Sequence, residues 1–299
     1  MVEGQENVGW NEWVNMARSV ETAGLDGLFR SDHYTSFHGS PGAAMDAWAT
    51  ITGLAALTSR IRLGTLVSPA TFRPPSELAR VVVTADHVSN GRVELGIGAG
   101  WFEKEHRQNG FPFPSTAERL SMLEEYVEVL DRTWSAEEFD FRGKYFTLEG
   151  QRALPAPVQA PHPPIIFGGR GGPRSLALAA RFADEYNAAF LSADEAVDLR
   201  RRLDGACQVA GRETGSVTLS LMTLVAAGRD TSEGEERLSR MLSGFGAPRE
   251  RCHVGSLEEV ESSLRGLERA GVTRIYSQHP DRRDAASIEL LGELAARLA

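Results

Sequence analysis

The chain has 299 residues, 41% of them hydrophobic and 24% charged, which is ordinary for a soluble globular protein with material for a sizeable core. A net charge of −9 argues against broad affinity for nucleic acid or for anionic membrane surfaces. Only Cys207 and Cys252 are present, without zinc-type spacing, and no apolar run is long enough for a membrane span; the expectation is a cytoplasmic protein with no disulfide framework and no metal site.

In chain order, Trp10, Trp13, Val14, Ala17 and Val20 recur at helical spacing, with Gly24 as the stop. A strand fits Leu25 to Arg30 and ends in Ser31-Asp32-His33-Tyr34. Met45, Trp48, Ile51, Ala55 and Leu57 mark a second helix, followed by a strand from Ile61 to Val67 that runs into Ser68 and Arg73. A helix begins near Pro75, and Asn90-Gly91 turns into the apolar strand Val93 to Gly98. That strand opens into Ala99-Gly100-Trp101-Phe102-Glu103-Lys104-Glu105-His106, a segment suited to binding. Its alternate glycines predict close approach of backbone amides to a ligand. They do not form the dinucleotide fingerprint, because the next clear helix starts only at about Ser115.

Three capping boxes, Ser115-x-x-Glu118, Ser192-x-x-Glu195 and Ser256-x-x-Glu259, announce helices. Residues 136–163 read as an insertion carrying a small hairpin. Strands are predicted at Ile165–Phe167, Glu185–Phe190, Val217–Ala226 and Val272–Ser277, and segment 231–254 has no clear pattern. With a stub of about four residues at the start, shorter than the usual strand, eight strands alternate with helices. This predicts one domain over 1–299: an α/β (β/α)8 TIM barrel with loop insertions and a short or truncated first strand. A doubly wound open sheet is the competing arrangement.

In such a barrel the chemistry collects where strands end. His33 is the best acid/base candidate there, since its ordinary pKa near 6.5 keeps both protonation states accessible; His38, His106 and His279 are weaker options. Gly168 to Ser175 places four glycines before a helix start, with Arg170 and Arg174 adding charge, which suits an anion. Arg73, Lys104 and Arg107 are further cations that extend a positive surface.

Ser31-Asp32-His33-Tyr34, Ile61-Arg62-Leu63-Gly64-Thr65, Leu95 to Trp101 and Ile165-Ile166-Phe167-Gly168-Gly169 together resemble the bacterial luciferase-like oxidoreductase superfamily, in particular its members using the deazaflavin coenzyme F420. The resemblance implies a deazaflavin, or alternatively FMN, in the barrel mouth, flanked by Asp32, Leu66, Val67, Ser68, Ala99, Gly100 and Trp101. The phosphate then meets Gly171, Gly172, Arg174 and Ser175. It also implies a non-prolyl cis peptide at Leu66–Val67, His33 as the group exchanging a proton with substrate, Asp32 beside it, and a homodimer. In the sugar-phosphate dehydrogenase of this family a catalytic glutamate follows the fourth-strand glycines; here that position is Trp101, which argues against sugar-phosphate oxidation, and Glu103 or Glu105 is left as a source of a carboxylate although neither matches by position. Three functions follow: hydride transfer between F420 and a small organic substrate, an FMN monooxygenase served by a separate reductase, or a catalytically silent flavin-binding barrel.

Overall fold

The computed structural model describes residues 1–39, 42–243, 246–282 and 284–299. In chain order the elements are α1 (Trp10–Thr22), β1 (Gly27–Arg30), α2 (Ala47–Leu57), β2 (Arg62–Thr65), β3 (Ser68–Pro69), α3 (Pro75–Ser89), β4 (Val93–Gly98), α4 (Glu103–Asn109), α5 (Thr116–Trp134), β5 (Phe139–Arg142) and β6 (Thr147–Gln151). They continue with β7 (Ile165–Gly168), α6 (Pro173–Phe182), β8 (Glu185–Ala189), α7 (Ala193–Val209), β9 (Thr218–Gly228), α8 (Thr231–Ser243), β10 (His253–Ser256), α9 (Leu257–Arg269), β11 (Arg274–Gln278) and α10 (Ala285–Leu298). Two compact units interleave along the chain: one holds Met1–Glu3, Asn11–Phe29 and Gly169–Ala299, the other Gly4–Trp10 and Arg30–Gly168.

In the Arg30–Gly168 unit, β4 is the central parallel strand. β7 lies on one side, with Leu95 opposite Ile165 and Ile97 opposite Phe167. On the other side β2 and then β3 share it: Gly64 faces Glu94, and Ser68 faces Ile97. Four residues thus advance against three. The extra residue throws the Leu66–Val67 step out of the ladder as a bulge, and that peptide bond is cis, as the resemblance implied. Strands buried on both faces explain the continuous apolar runs that the sequence shows. The predicted hairpin exists, with β5 antiparallel to β6. The proline-rich stretch after it is tied down by the buried Asp86 carboxylate, which accepts from the Val158 and Gln159 amides at 2.7 and 3.1 Å.

In the other unit the long strand β9 carries β8 on one side. On its other side β11 pairs along its first half, from Arg274 opposite Ser220, and β10 along its second, from His253 opposite Val225. The expected stub is a single bridging residue: the Val2 amide donates to Phe29 O, while Met1 O accepts from the His279 amide. All three capping boxes are present as read.

Two expectations are corrected. A helix, α4, starts immediately after the β4 loop, ahead of Ser115; its first turn carries Glu103 and Glu105, which suit the positive end of the helix dipole. Segment 231–254 is ordered as α8 followed by the start of β10, with Gly228, Gly234 and Gly255 in close backbone contact. Gly244 and Phe245, within that segment, lie outside the described residues. No helix among the described residues is long and apolar enough to cross a membrane.

Candidate active site

β1 delivers Arg30 to Tyr34 into a buried polar network. Arg30, 1% exposed, donates to Ser31 O, Thr50 Oγ1 and Met45 O, and it occupies the space beside Gly4 that a Cβ would need. Asp32 is equally buried; its Oδ2 accepts from Ser68 Oγ at 2.7 Å and from Arg73 Nη1 at 2.6 Å. Ser68 in turn accepts from the Trp48 indole at 3.1 Å. Arg73 reaches on to Tyr34 Oη and Asp46 Oδ2. Burial works against the Arg73 charge, but Asp32, Tyr34 and Asp46 outweigh it and raise its pKa. Arg73 is therefore the closing link of this network, correcting the expectation of a surface cation.

His33 follows directly. Its Nδ1 lies 2.7 Å from Glu105 Oε2, and both side chains are buried. The other Glu105 oxygen accepts from the Tyr34 and Thr35 amides at 2.5 and 2.9 Å. Burial pushes the Glu105 carboxyl up, yet the His33 bond and charge and these two amides hold it below the ordinary carboxylate range. An ionised carboxylate only accepts, so His33 Nδ1 carries the proton and the imidazole lone pair of the neutral ring falls on Nε2.

The β4 glycines serve a different purpose from the one expected. A Cβ on Gly96 would lie 2.0 Å from Thr65 O, and Cβ atoms on Gly98 and Gly168 would meet the Val67 side chain at 3.0 Å. These residues make room for the Leu66–Val67 bulge. Gly100 has φ +78°, and beside it His106 Nε2 lies 2.7 Å from Thr71 Oγ1. His106 Nδ1 faces Phe102 O at 2.8 Å, and a carbonyl only accepts; the ring is thus the Nδ1–H tautomer. Burial lowers its pKa and keeps it neutral. His106 is a loop clamp, which places Trp101 and Phe102 beside His33.

Trp101 is 63% exposed, with ring centroids 5.3 Å from Phe37 and 5.9 Å from His33. Ala99 and Gly100 are half-buried at the strand end. Asp32, His33, Leu66, Val67, Ser68, Ala99, Gly100 and Trp101 thus all belong to the unit built around β4.

Gly171, Gly172, Arg174 and Ser175 belong to the other unit, at the start of α6. Gly172 is the N-cap with no side-chain cap, and Pro173 opens the helix. The Gly171 amide donates to Tyr186 Oη at 2.8 Å, and the same hydroxyl lies 2.9 Å from Ser175 Oγ. The phosphate reading counted on the Gly171 amide; here it is turned onto Tyr186. The Arg174 and Ser175 amides lie in the first turn, where the helix offers them no acceptor, and Arg170 and Arg174 are exposed cations beside them.

A family model described as luciferase-like monooxygenase matches residues 2–297. The chain belongs to the luciferase-like monooxygenase family. An F420-dependent glucose-6-phosphate dehydrogenase of Amycolatopsis mediterranei is 31% identical over 182 residues, covering 60% of this chain and 54% of that one. The chain spans about half the length of the curated relatives it matches. An F420-dependent secondary alcohol dehydrogenase, solved with an F420–acetone adduct, superposes with TM-score 0.83 at 18% identity over 100% of this chain and 98% of that one. The oxygenating constituent of 3,6-diketocamphane monooxygenase from Pseudomonas putida, solved with FMN, gives TM-score 0.79 at 18% identity over 97% and 93%. At that identity these two show a shared fold, the luciferase-like (β/α)8 barrel, and the doubly wound alternative falls away. The luciferase-like relatives include F420-dependent dehydrogenases, a pyrimidine monooxygenase and an FMN-bound monooxygenase constituent, so both F420 and FMN proteins occur among them.

Sequence reasoning missed one pairing in this candidate site, that of Glu105 with His33. The sequence leaves Glu103 or Glu105 open as the source of a carboxylate, but the pairing of Glu105 with His33 depends on α4, which leaves little trace in the sequence. Its available signal was weak: a glutamate three residues into a segment beginning Phe102-Glu103 has acidic first-turn character.

Proposed function

We propose that this chain is an F420-dependent oxidoreductase that transfers a hydride between the deazaflavin and a small organic substrate, with His33 exchanging the accompanying proton. The observation that carries this reading is the buried His33–Glu105 pair beside exposed Trp101. The residues suit the cofactor on two counts, each taken by itself. The β4 unit presents an apolar aromatic surface next to a tautomer-fixed histidine. The α6 start offers helix-terminal amides and two arginines, which complement a phosphate and an acidic tail.

F420, when bound, supplies the hydride acceptor or donor. Neutral His33 takes the proton of a substrate hydroxyl at Nε2; in the reverse direction the protonated ring gives it to a carbonyl oxygen. Glu105 fixes the ring and stabilises the cation formed. Asp32, locked by Ser68 and Arg73, holds the β1 end in place, so proton transfer falls to His33. In the β4 unit the Leu66–Val67–Ser68 bulge, Ala99, Gly100 and Trp101 would line the deazaflavin ring; the α6 start, taken by itself, would suit a phosphate through Gly172, Arg174 and Ser175. A homodimer is part of this reading.

The test is direct titration of the purified chain with each cofactor. Micromolar F420 binding with weak FMN binding is the expected result. The reverse outcome overturns the reading in favour of a reductase-served FMN monooxygenase, which the fold shared with the FMN-bound structure keeps as the second reading.

A further inference from the structure

We infer that Trp101, with Phe37 and Phe102, sets the substrate class: the wall takes a neutral alicyclic or aromatic compound whose reacting carbon bears a hydroxyl or carbonyl, and it rejects sugar phosphates. This rests on His33 as the proton-exchanging group.

The geometry is specific. Phe37, Trp101 and Phe102 have mutual ring centroid separations of 5.3 Å, and all three surround His33 at 4.9 to 6.3 Å. Trp101 is nevertheless 63% exposed, while Phe37 and Phe102 are half-buried. A large exposed aromatic backed by two further rings is an apolar binding surface.

The nearby carboxylates are engaged elsewhere. Glu105 holds His33 and two amides; Glu6 accepts from Ser36 Oγ and the Phe37 amide; Glu103 faces Arg107 at 3.5 Å. What the wall offers a ligand is ring faces and edges. A polyhydroxylated substrate laid against the rings would give up hydrogen bonds to water that ring faces do not replace, whereas an apolar ring gains contact area. Lys104 is the exposed cation in the first turn of α4, so a phosphorylated ligand is the fair counter-test.

The experiment uses the full chain. Saturation-transfer NMR measures dissociation constants for cyclohexanol and for glucose 6-phosphate in the wild type, Trp101→Ala and Trp101→Phe; steady-state turnover of cyclohexanol with F420 follows. The exposure of Trp101 leaves the core untouched by either change. Trp101→Ala is expected to weaken cyclohexanol binding about five- to tenfold, as befits loss of one aromatic contact, and to raise KM in step with a smaller fall in kcat. Trp101→Phe retains most of the affinity. Unchanged cyclohexanol binding in Trp101→Ala, or tighter binding of glucose 6-phosphate than of cyclohexanol, overturns the inference. Trp101-dependent cyclohexanol binding without F420 turnover supports the wall and overturns the cofactor reading instead.

Discussion

His33 Nδ1 and Glu105 Oε2 are 2.7 Å apart although 72 residues separate them in the chain. One side chain follows β1 and the other lies in the first turn of α4, so the contact exists only once both elements pack onto the same unit. It gives the histidine a defined tautomer and gives the carboxylate a reason to stay ionised.

Replacing Glu105 with Gln keeps the side-chain shape but removes the charge. Turnover is expected to fall about 10- to 100-fold, in line with the loss of a group that orients a catalytic histidine, with binding of cofactor little changed. A variant with full kcat across pH 6–9 would remove Glu105 from the mechanism.

The same residue makes a pH prediction. Its folded pKa is depressed below the ordinary 4.5, so the stability it contributes is complete above that value and disappears as pH falls through the lower folded value. Denaturant titrations at stepped acidic pH should show a shallower loss of stability for Glu105→Gln than for the wild type.

His279 gives a second pH effect at a higher range. Burial, helped by the terminal ammonium, pushes it down to about 4. Neither ring nitrogen has a hydrogen-bond partner among the described residues. The unfolded chain takes up the proton near 6.5, so the contribution of His279 to stability is full above that pH and fades between 6.5 and 4. Replacing it with Gln should flatten the unfolding midpoint across this interval; an unchanged slope would contradict the assignment.

Arg73→Met should cost about 3–5 kcal/mol, the penalty for stranding a buried carboxylate, because Asp32 is left without its counter-ion. The double change with Asp32→Asn is expected to recover part of that loss. Chemical denaturation of the two single variants and the double variant tests this coupling.

Gly96→Ala puts a Cβ 2.0 Å from the Thr65 carbonyl and should destabilise by about 1–3 kcal/mol or more. Gly172→Ala is the control: nothing lies within 4 Å, φ is −64°, and stability should be unchanged or slightly raised. Equal midpoints for the two variants would contradict the packing account of the β4 glycines.

Much of the architecture was legible beforehand because it is local. Capping boxes, strand-length apolar runs and the Asn90-Gly91 turn each act within a few residues, and their alternation predicts the barrel. The same holds for His33 and Trp101, which stand directly after strands. By contrast α4 is only seven residues long and lacks a side-chain cap, so its start left little trace. The four-residue strand β10 is recognisable only through its pairing with β9.

Sequence alone determined the alternation of most strands and helices and which segments trail from their strand ends, since periodicity and caps are properties of neighbouring residues. Only the tertiary structure decided that Glu105 faces His33, that Arg73 is held between Asp32 and Asp46, and that Gly96, Gly98 and Gly168 clear space for a bulge. Each of those depends on atoms far apart in the chain, which hydrophobic packing brings within hydrogen-bond or van der Waals reach.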